Sequence, residues 1–242
     1  ETAGGVRART PATTSAAPTT TLAPNVEIVG PAVTPVEAIG KSNGPAAVTL
    51  QDRLTQLGFW TGTSDGQYGF ATTQAVMAFQ KYSGLEASGK VDQPTAERLN
   101  TVVERGHGVS DSGTLVEVDK ARQLLFIVID GKTLWTLNTS TGSENPYEAP
   151  NQKDPTKIEK GDSITPNGLW KVDRERPDGW WEGDLGKIYR PKYFRGGVAI
   201  HGMTSVPNYP ASHGCVRVSV AAMDMIWEQG LVPMGMPVWV HE

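Results

Sequence analysis

The chain has 242 residues, of which 38% are hydrophobic, and it carries a formal charge of −4 at pH 7. This length suits two modest domains, and the acidic balance gives no reason to expect nucleic acid or an anionic membrane surface as a partner. No apolar run is long enough to cross a bilayer. The chain begins at Glu1 without an initiator Met or an apolar signal region, so we expect a processed or truncated product.

Residues 1–45 contain no aromatic residue, and their most biased stretch reads PATTSAAPTTTLAP. Such a composition cannot bury enough apolar surface to offset the entropy of ordering. We therefore expect a disordered linker rich in Thr, Ala and Pro. It is either a tether to an N-terminal membrane attachment or export signal, or a terminus without function.

Residues 46–104 are predicted to form three short helices. The first carries an apolar face and stops at Gly58, the second covers residues 72–82, and the third opens at Asp92 and runs through Leu99. The stretches LQDRLTQLGF, DGQYGFATTQAVMAFQKYSGL and GKVDQPTAERL resemble the peptidoglycan-binding domain 1 family. The resemblance implies a small bundle that binds wall glycan or stem peptide, with a spacer that positions an enzyme as the alternative. In this family the motif positions mostly build the core and turns; here they are Asp65, Gly66, Tyr68 and Gly69.

A polar joint, RGHGVSDSG, follows, and we assign no chemical role to its His107. From Leu115 the apolar period shortens to two, which predicts a mostly antiparallel β-sandwich over residues 113–242. One helix over residues 221–229 interrupts it, and residues 138–163 are expected to be a long irregular segment that acts as a lid. The predicted fold class is α+β multidomain, a three-helix bundle followed by the sandwich. Its strands are expected at 115–118, 124–129, 133–138, 168–172, 187–189, 197–201 and 237–241.

The segment HGMTSVPNYPASHGC, residues 201–215, contains the only cysteine and two of the four histidines. A catalytic cysteine needs a base and backbone N–H donors for an oxyanion, and His201 and the turn at Gly214 can supply them. His213 competes for the role of base, because residues i and i+2 of an extended segment share a face. The rival interpretation makes His201, His213 and Cys215 three zinc ligands, although no CxxC or HExxH accompanies them.

His201-Gly202, then Ser212-His213-Gly214-Cys215, then Arg217 resemble the signature of L,D-transpeptidases of the YkuD family, and Thr165-Pro166-Asn167-Gly168 resembles the family's TPxG block. The resemblance implies that Cys215 is the nucleophile, that His201 is the base oriented by the carbonyl of Gly202, and that the amides of Gly214 and Cys215 stabilise the oxyanion. No cofactor and no metal are implied. Pairing with an imidazolium is expected to lower the pKa of the thiol.

Substrate contacts are expected from the residues around this motif. Arg217 either holds a substrate carboxylate or carbonyl or bonds the carbonyls of its own turn. Ser212, Tyr193 and Tyr189 are further candidates for the substrate-binding wall. Because no predicted catalytic residue lies before Leu115, removal of residues 1–104 is expected to lower retention on the wall more than turnover of a soluble peptide.

The resemblance implies an exported L,D-transpeptidase that forms a thioester with a tetrapeptide stem, releases D-Ala and makes 3→3 crosslinks. Alternatives on the same scaffold are an L,D-carboxypeptidase, a D-amino-acid exchanger and a lipoprotein-anchoring enzyme, and a remoter one is a non-catalytic wall-binding protein. Expected partners are peptidoglycan stem peptides and glycan, with carbapenem-type β-lactams as covalent inhibitors. We expect a monomer located outside the cytoplasm, in the cell wall or at the outer face of the cytoplasmic membrane.

Overall fold

The structure is a computed structural model that describes residues 25–242. The tether expected over residues 1–24 lies outside the described residues. Within residues 25–242 no helix has both the length and the apolar character needed to cross a membrane. The described part has four helices and twelve strands, which in chain order are α1 Pro45–Gln56, α2 Phe70–Tyr82, α3 Gln93–Thr101, β1 Leu115–Asp119, β2 Leu124–Ile129, β3 Lys132–Asn138, β4 Pro146–Pro150, β5 Ile158–Asp162, β6 Gly168–Lys171, β7 Arg174–Glu175, β8 Trp180–Gly183, β9 Gly186–Arg195, β10 Val198–Met203, β11 Val216–Ser219, α4 Val220–Glu228 and β12 Pro237–His241.

Helices α1 to α3 form the helical unit, and its turns are held by side chains of the sequence motif. The amide of Gln51 donates to Asp65 and accepts from the backbone N–H of Gly66, which fixes the turn before α2. The hydroxyl of Tyr68 donates to the carbonyl of Gly89 at 3.0 Å. Asp65, Gly66 and Tyr68 therefore build turns, as the sequence predicts.

Residues 25–44 are ordered against the helical unit, so the disordered linker expected up to residue 45 is wrong for this part. Val36 is buried, and both its N–H and its carbonyl bond the side chain of Asn100, at 2.7 and 3.0 Å. Gly40 pairs with Val91 as an antiparallel bridge. The segment is held because these backbone groups have fixed protein partners and because Val36, Val29 and Ile39 pack with the core of the helical unit.

Two sheets and α4 form the β-sandwich. The first sheet has the order β3-β2-β1-β12-β6, and the second has the order β11-β10-β9-β7, with β8 paired to β9. All pairs are antiparallel except β1 with β12 and β10 with β11. Ser219 begins α4 by accepting from the N–H of Ala222 at 3.1 Å. The sandwich core lies between the sheets and takes Met223 and Ile226 from α4.

Strand β2 is buried on both faces, and this joins the helical unit to the sandwich. Leu125 and Ile127 point into the sandwich core, whereas Leu124, Phe126 and Val128 belong to the core of the helical unit. A strand covered on both sides is continuously apolar in sequence, as LLFIVI is. The helical unit is thus packed on the outer face of the first sheet.

Several segments differ from the sequence-based expectations, among them the strands β7, β8 and β11, which were not expected. Residues 138–163 are not irregular throughout, because β4 and β5 pair there as an antiparallel hairpin. The strand expected over residues 187–189 extends to Arg195 as β9. The joint that contains His107 is held by hydrogen bonds to the sandwich. The buried carboxylate of Glu117 accepts from the N–H groups of Val109 and Ser110, each at 2.9 Å.

Candidate active site

Cys215 lies immediately before β11, on the outer face of the second sheet. The parallel pairing of β10 with β11 joins Ile200 to Val216, so Ala199 is the neighbour of Cys215 on β10. Ile200 and Val216 are fully buried in the sandwich core. Because successive residues of a strand point to opposite faces, Cys215 and Ala199 face away from that core.

His201 and Arg217 share this outer face with Cys215. They are direct cross-strand partners, each one position beyond the core pair. Tyr193 of β9 pairs with Ala199, and Arg174 of β7 pairs with Tyr193. Cross-strand partners present their side chains on the same face. The sheet therefore brings together four of the residues that the sequence singles out: Cys215, His201, Arg217 and Tyr193.

The ring of His201 is oriented by its own strand. Its Nδ1 lies 3.0 Å from the carbonyl oxygen of Gly202. Since a carbonyl only accepts, Nδ1 carries the proton and Nε2 is left as an acceptor. The side chain is 2% exposed. Burial is the main reason that the pKa of His201 is lowered to about 4. The charge of Arg217 lowers this pKa further, whereas the hydrogen bond to Gly202 raises it.

The thiol of Cys215 is not held as a thiolate in this arrangement. Burial raises its pKa, although the backbone N–H of Ala199 and the charge of Arg217 both favour the ionised form. This direction is opposite to the expectation that an imidazolium lowers the pKa of the thiol, because burial of His201 favours its neutral form. The thiol donates to the carbonyl of Gly197 at 3.8 Å, and the pKa shifts favour a neutral thiol and a neutral imidazole.

The turn before Cys215 is closed by its own side chains. The hydroxyl of Ser212 donates to the carbonyl of Cys215 at 2.5 Å and accepts from the N–H of Gly214 at 3.0 Å. Ser212 is buried, so the structure places it inside the turn rather than on a substrate-binding wall. The N–H of Gly214, expected to face an oxyanion, is bonded to Ser212 here.

Thr165 fastens this turn from the neighbouring segment. Its hydroxyl donates to the carbonyl of Gly214 at 2.7 Å and accepts from the N–H of Gly142 at 2.8 Å. Gly214 has φ of +128°, and a Cβ there would lie 2.8 Å from the carbonyl oxygen of Ile164. The TPxG block was matched as a motif, but this role for Thr165 has no signal in the local sequence.

His213 is exposed and lies under the β4–β5 hairpin. Its ring packs on that of Tyr147, with centroids 4.7 Å apart. Burial and the charge of Arg217 both lower the pKa of His213. Tyr147 was missed from the sequence, because nothing in its segment marks it as a neighbour of the cysteine motif.

Cationic side chains surround the outer face near Cys215. The guanidinium of Arg174 lies 3.9 Å from the ring centroid of Tyr193, and that of Arg176 lies 4.2 Å from the ring of Trp181. Burial raises the pKa of Tyr193, Arg174 lowers it, and the nearby thiol of Cys215 raises it again. Tyr193 is thus buried between a cation and the cysteine.

Arg217 has one guanidinium nitrogen without a partner. Its backbone is fixed by β-bridge pairing with Ser140 and by the hydroxyl of Thr139, which donates to its carbonyl at 2.7 Å. Its Nε is buried and bonds no acceptor within residues 25–242. This donor is therefore enclosed by protein and, among the described residues, lacks a hydrogen-bond partner, on the face of the sheet that carries Cys215.

Tyr189 is not brought to this face. Its hydroxyl donates to Asp224 of α4 at 2.9 Å, and its ring packs against Gly202 and Met223 on the core side of β10. The expected place in the substrate wall is therefore wrong. The register shift between Ile200 and Gly202 accounts for the difference, because it inserts one extra residue of β9 between Lys192 and Tyr189 and so reverses the face on which Tyr189 lies.

The zinc interpretation finds no geometric support. Within residues 25–242 no three His, Cys, Asp or Glu side chains converge in a way that would hold a metal ion. The two histidine rings have separate partners: His201 is bonded to Gly202, and His213 is packed on Tyr147.

Comparison with known families agrees with the two-part architecture. Residues 113–240 match the L,D-transpeptidase catalytic domain (YkuD), and residues 43–99 match the putative peptidoglycan binding domain. These matches define a chain in which a putative peptidoglycan binding domain precedes an L,D-transpeptidase catalytic domain. The chain belongs to the L,D-transpeptidase family.

Solved structures and curated proteins match this chain over very different shares of its length. The crystal structure of an L,D-transpeptidase from Xylanimonas cellulosilytica is 41% identical, covers 87% of this chain and 100% of its own, and superimposes with a TM-score of 0.74. The N-acetylmuramoyl-L-alanine amidase CwlM of Mycobacterium tuberculosis is 40% identical over 67 residues, which are 28% of this chain. A spore cortex-lytic enzyme of Oceanobacillus iheyensis is 39% identical over 56 residues, 23% of this chain. This chain spans only 16% of the amidase and 20% of the cortex-lytic enzyme.

Proposed function

We propose that this protein is a cysteine L,D-transpeptidase that acylates Cys215 with a peptidoglycan tetrapeptide stem. The observation that carries the proposal is the cross-strand arrangement of Cys215 and His201 on one face, with the His201 ring oriented by Gly202. This is the nucleophile, base and orienting group that acyl transfer through a thioester requires.

Acylation starts from the neutral pair. As the sulfur of Cys215 attacks the stem carbonyl, its proton passes to Nε2 of His201 and a C–S bond forms. The tetrahedral intermediate then expels the D-Ala amine, which takes the proton back from His201 as the C–N bond breaks. Since the imidazole is neutral above about pH 4, it is ready to accept a proton throughout the neutral range.

Deacylation repeats these steps with another nucleophile. The side-chain amine of a second stem attacks the thioester, the C–S bond breaks, and a 3→3 crosslink and the free thiol result. Water, a free D-amino acid or a lipoprotein lysine as acceptor would give hydrolysis, exchange or protein anchoring instead. These alternatives share the acyl-enzyme and differ only in the product.

The cations beside the site suit an anionic stem. The unpartnered Nε of Arg217 and the guanidinium of Arg174 lie on the side of the sheet that carries Cys215. Such forks bind carboxylates in two-point geometry. We assign Arg217 to a carboxylate or carbonyl of the donor stem and Tyr193 to the wall of the groove.

The remaining assignments follow from the substrate. The helical unit is expected to bind wall glycan or stem peptide, and a polymer outside the cell requires an enzyme located there. We expect a monomer in the cell wall or at the outer face of the cytoplasmic membrane. Carbapenems are expected to acylate Cys215, because the sulfur of the same thiol can attack their strained β-lactam carbonyl.

The test is mass analysis of products after incubation with a purified disaccharide tetrapeptide. A crosslinked dimer is the expected product; tripeptide, exchanged stem or no product would overturn the crosslinking assignment.

Cys215→Ala should abolish turnover while the fold persists. His201→Ala should cost on the order of a hundredfold in acylation, and His213→Ala less. A carbapenem should add its mass to Cys215 in the wild type and not in Cys215→Ala, and a label elsewhere would contradict the thioester route.

A further inference from the structure

The segment from Thr204 to Cys215 connects β10 to β11 and carries the nucleophile. It has no helix or strand of its own, so its shape depends on contacts with neighbouring elements. Two hydrogen bonds join it to the helical unit, one from Gln74 and one to the carbonyl of Ala87, and that unit holds none of the residues assigned to the reaction.

Gln74 of α2 contacts this segment directly. Its Nε2 donates to the carbonyl of Val206 at 3.2 Å. The Nδ2 of Asn138, at the end of β3, donates both to Val206 at 3.2 Å and to the Oε1 of Gln74 at 2.6 Å. All three residues are buried. Because Val206 offers only an acceptor, the triangle fixes the orientation of both amides.

Lys81 of the same helix bonds a different part of the backbone, next to residues that pair with the nucleophile segment. Its Nζ donates to the carbonyls of Gln123 at 3.1 Å and Thr139 at 3.2 Å. Thr139 begins the backbone segment 139–142, which pairs with the nucleophile segment and with Arg217. Thr139 and Ser140 bond Arg217, and the carbonyl of Thr141 accepts from the N–H of Ser212 at 2.9 Å.

Gln74 and Lys81 are seven residues apart, which is about two turns of a helix, so they lie on the same face. The amide of Gln74 is buried and the Nζ of Lys81 is partly buried, and burying such groups is costly unless they are bonded. Their bonds end on the two backbone segments that flank Cys215 and Arg217. A loose spacer would not need polar side chains at these positions.

We propose that α2 is part of the active-site scaffold, with Gln74 and Lys81 as positioning residues that hold the segments around Cys215 in their reactive arrangement. The proposal rests on the proposed function of Cys215. It opposes the expectation that removal of residues 1–104 lowers retention on the wall more than turnover of a soluble peptide.

Gln80 provides a matched control on the same helix. It is also a fully buried glutamine, and its amide bonds Lys90, Thr95 and the N–H of Gly89. All of these partners lie within the helical unit. Gln80→Met therefore removes comparable hydrogen bonds without touching the segments that flank Cys215.

The experiment compares Gln74→Met, Gln80→Met, Lys81→Met and Lys81→Arg in the full chain, all below their unfolding temperatures. Gln74→Met and Lys81→Met should lower kcat on a soluble tetrapeptide by about tenfold or more, with KM changed less. Both should also shift the pH profile of Cys215 alkylation by a small neutral reagent. Lys81→Arg should recover part of the loss, and Gln80→Met should match the wild type in both assays even where its melting temperature falls.

Two results would overturn the proposal. One is equal kcat and alkylation profiles for Gln74→Met and Gln80→Met at similar stability, and the other is no effect of Lys81→Met. If the wild type turned over no tetrapeptide, the proposed function would fail, but the alkylation profiles would still decide whether α2 positions Cys215. The two failures are therefore distinguishable.

Discussion

At the scale of single residues, burial sets the protonation of the candidate catalytic pair. His201 is almost fully buried, which lowers its pKa to about 4, and burial also raises the pKa of Cys215. Both shifts favour the uncharged forms. The proton must then move during attack rather than before it, and the bond from Nδ1 to Gly202 keeps Nε2 ready to receive it.

A neutral resting pair predicts a particular pH dependence for alkylation of Cys215. Because the raised pKa leaves little thiolate at neutral pH, the rate with iodoacetamide should keep rising through the ordinary thiol pKa of about 8.5. A preformed thiolate–imidazolium pair would instead give a plateau from mildly acid to neutral pH. The measurement is the alkylation rate of the wild type by intact mass, with His213→Ala as a control that should retain the rising profile. A plateau at neutral pH would contradict the neutral pair.

Residue-level predictability from the sequence was uneven. Cys215, His201 and Arg217 were predicted together because their motif is local, and strand alternation places them on one face. Tyr189 and Tyr193 were both expected near the substrate, with Tyr193 as the better wall residue. The register shift between Ile200 and Gly202 turns Tyr189 toward Asp224 and α4, and no property of the local sequence marks such a shift.

At the scale of elements, the turn at Gly214 is fixed from two sides. Ser212 closes it internally, and Thr165 holds it from the segment before β6. The β4–β5 hairpin covers His213 through Tyr147. The hairpin was missed because its strands are polar and exposed on alternate residues, so they carry no apolar stripe, whereas β2 was found because all of its residues are apolar.

Gly214→Ala tests how closely this turn is held. The φ of +128° is unfavourable for alanine, and its Cβ would lie 2.8 Å from the carbonyl oxygen of Ile164. We expect turnover to fall by about a hundredfold, because the nucleophile follows directly in the chain, and stability to fall by roughly 1–3 kcal/mol.

Gly179→Ala is the matched control for this substitution. Gly179 also has a positive φ, +47°, but a Cβ there would meet open space. It should lose only about 1–2 kcal/mol of stability from backbone strain and keep its turnover. The measurements are the turnover and the melting temperature of both variants. Equal turnover in Gly214→Ala and Gly179→Ala would mean that the turn at Gly214 tolerates a Cβ despite its close contacts.

At the scale of the whole molecule, the helical unit and the sandwich share buried surface. Leu124, Phe126 and Val128 are fully buried, and their side chains belong to the core of the helical unit although they lie in the first sheet. Trp60, which follows α1, packs in turn against the sandwich core. The two-part organisation was predictable from composition and periodicity. The packing of the helical unit against the sandwich was not predictable, because the residues that join the two parts look like ordinary core positions of each part.

This shared core predicts that the two parts unfold together. Helix content reports mainly the helical unit, which holds three of the four helices in residues 25–242. Tryptophan fluorescence reports mainly the sandwich, since six of the seven tryptophans follow Leu115. In urea, the circular dichroism and fluorescence transitions should coincide if unfolding is a single cooperative step.

Phe126→Ala sharpens this last prediction, because the side chain is carried by β2 but packs among the helices. Removing a fully buried phenylalanine costs about 3–5 kcal/mol, and the loss should shift both transitions to lower urea by the same amount. Ile127→Ala, the adjacent residue facing the sandwich core, should also move both transitions together. Separate transitions, with the helical signal lost first in Phe126→Ala while fluorescence is unchanged, would show that the helical unit is an independent domain and that its contacts with the sandwich contribute little to stability.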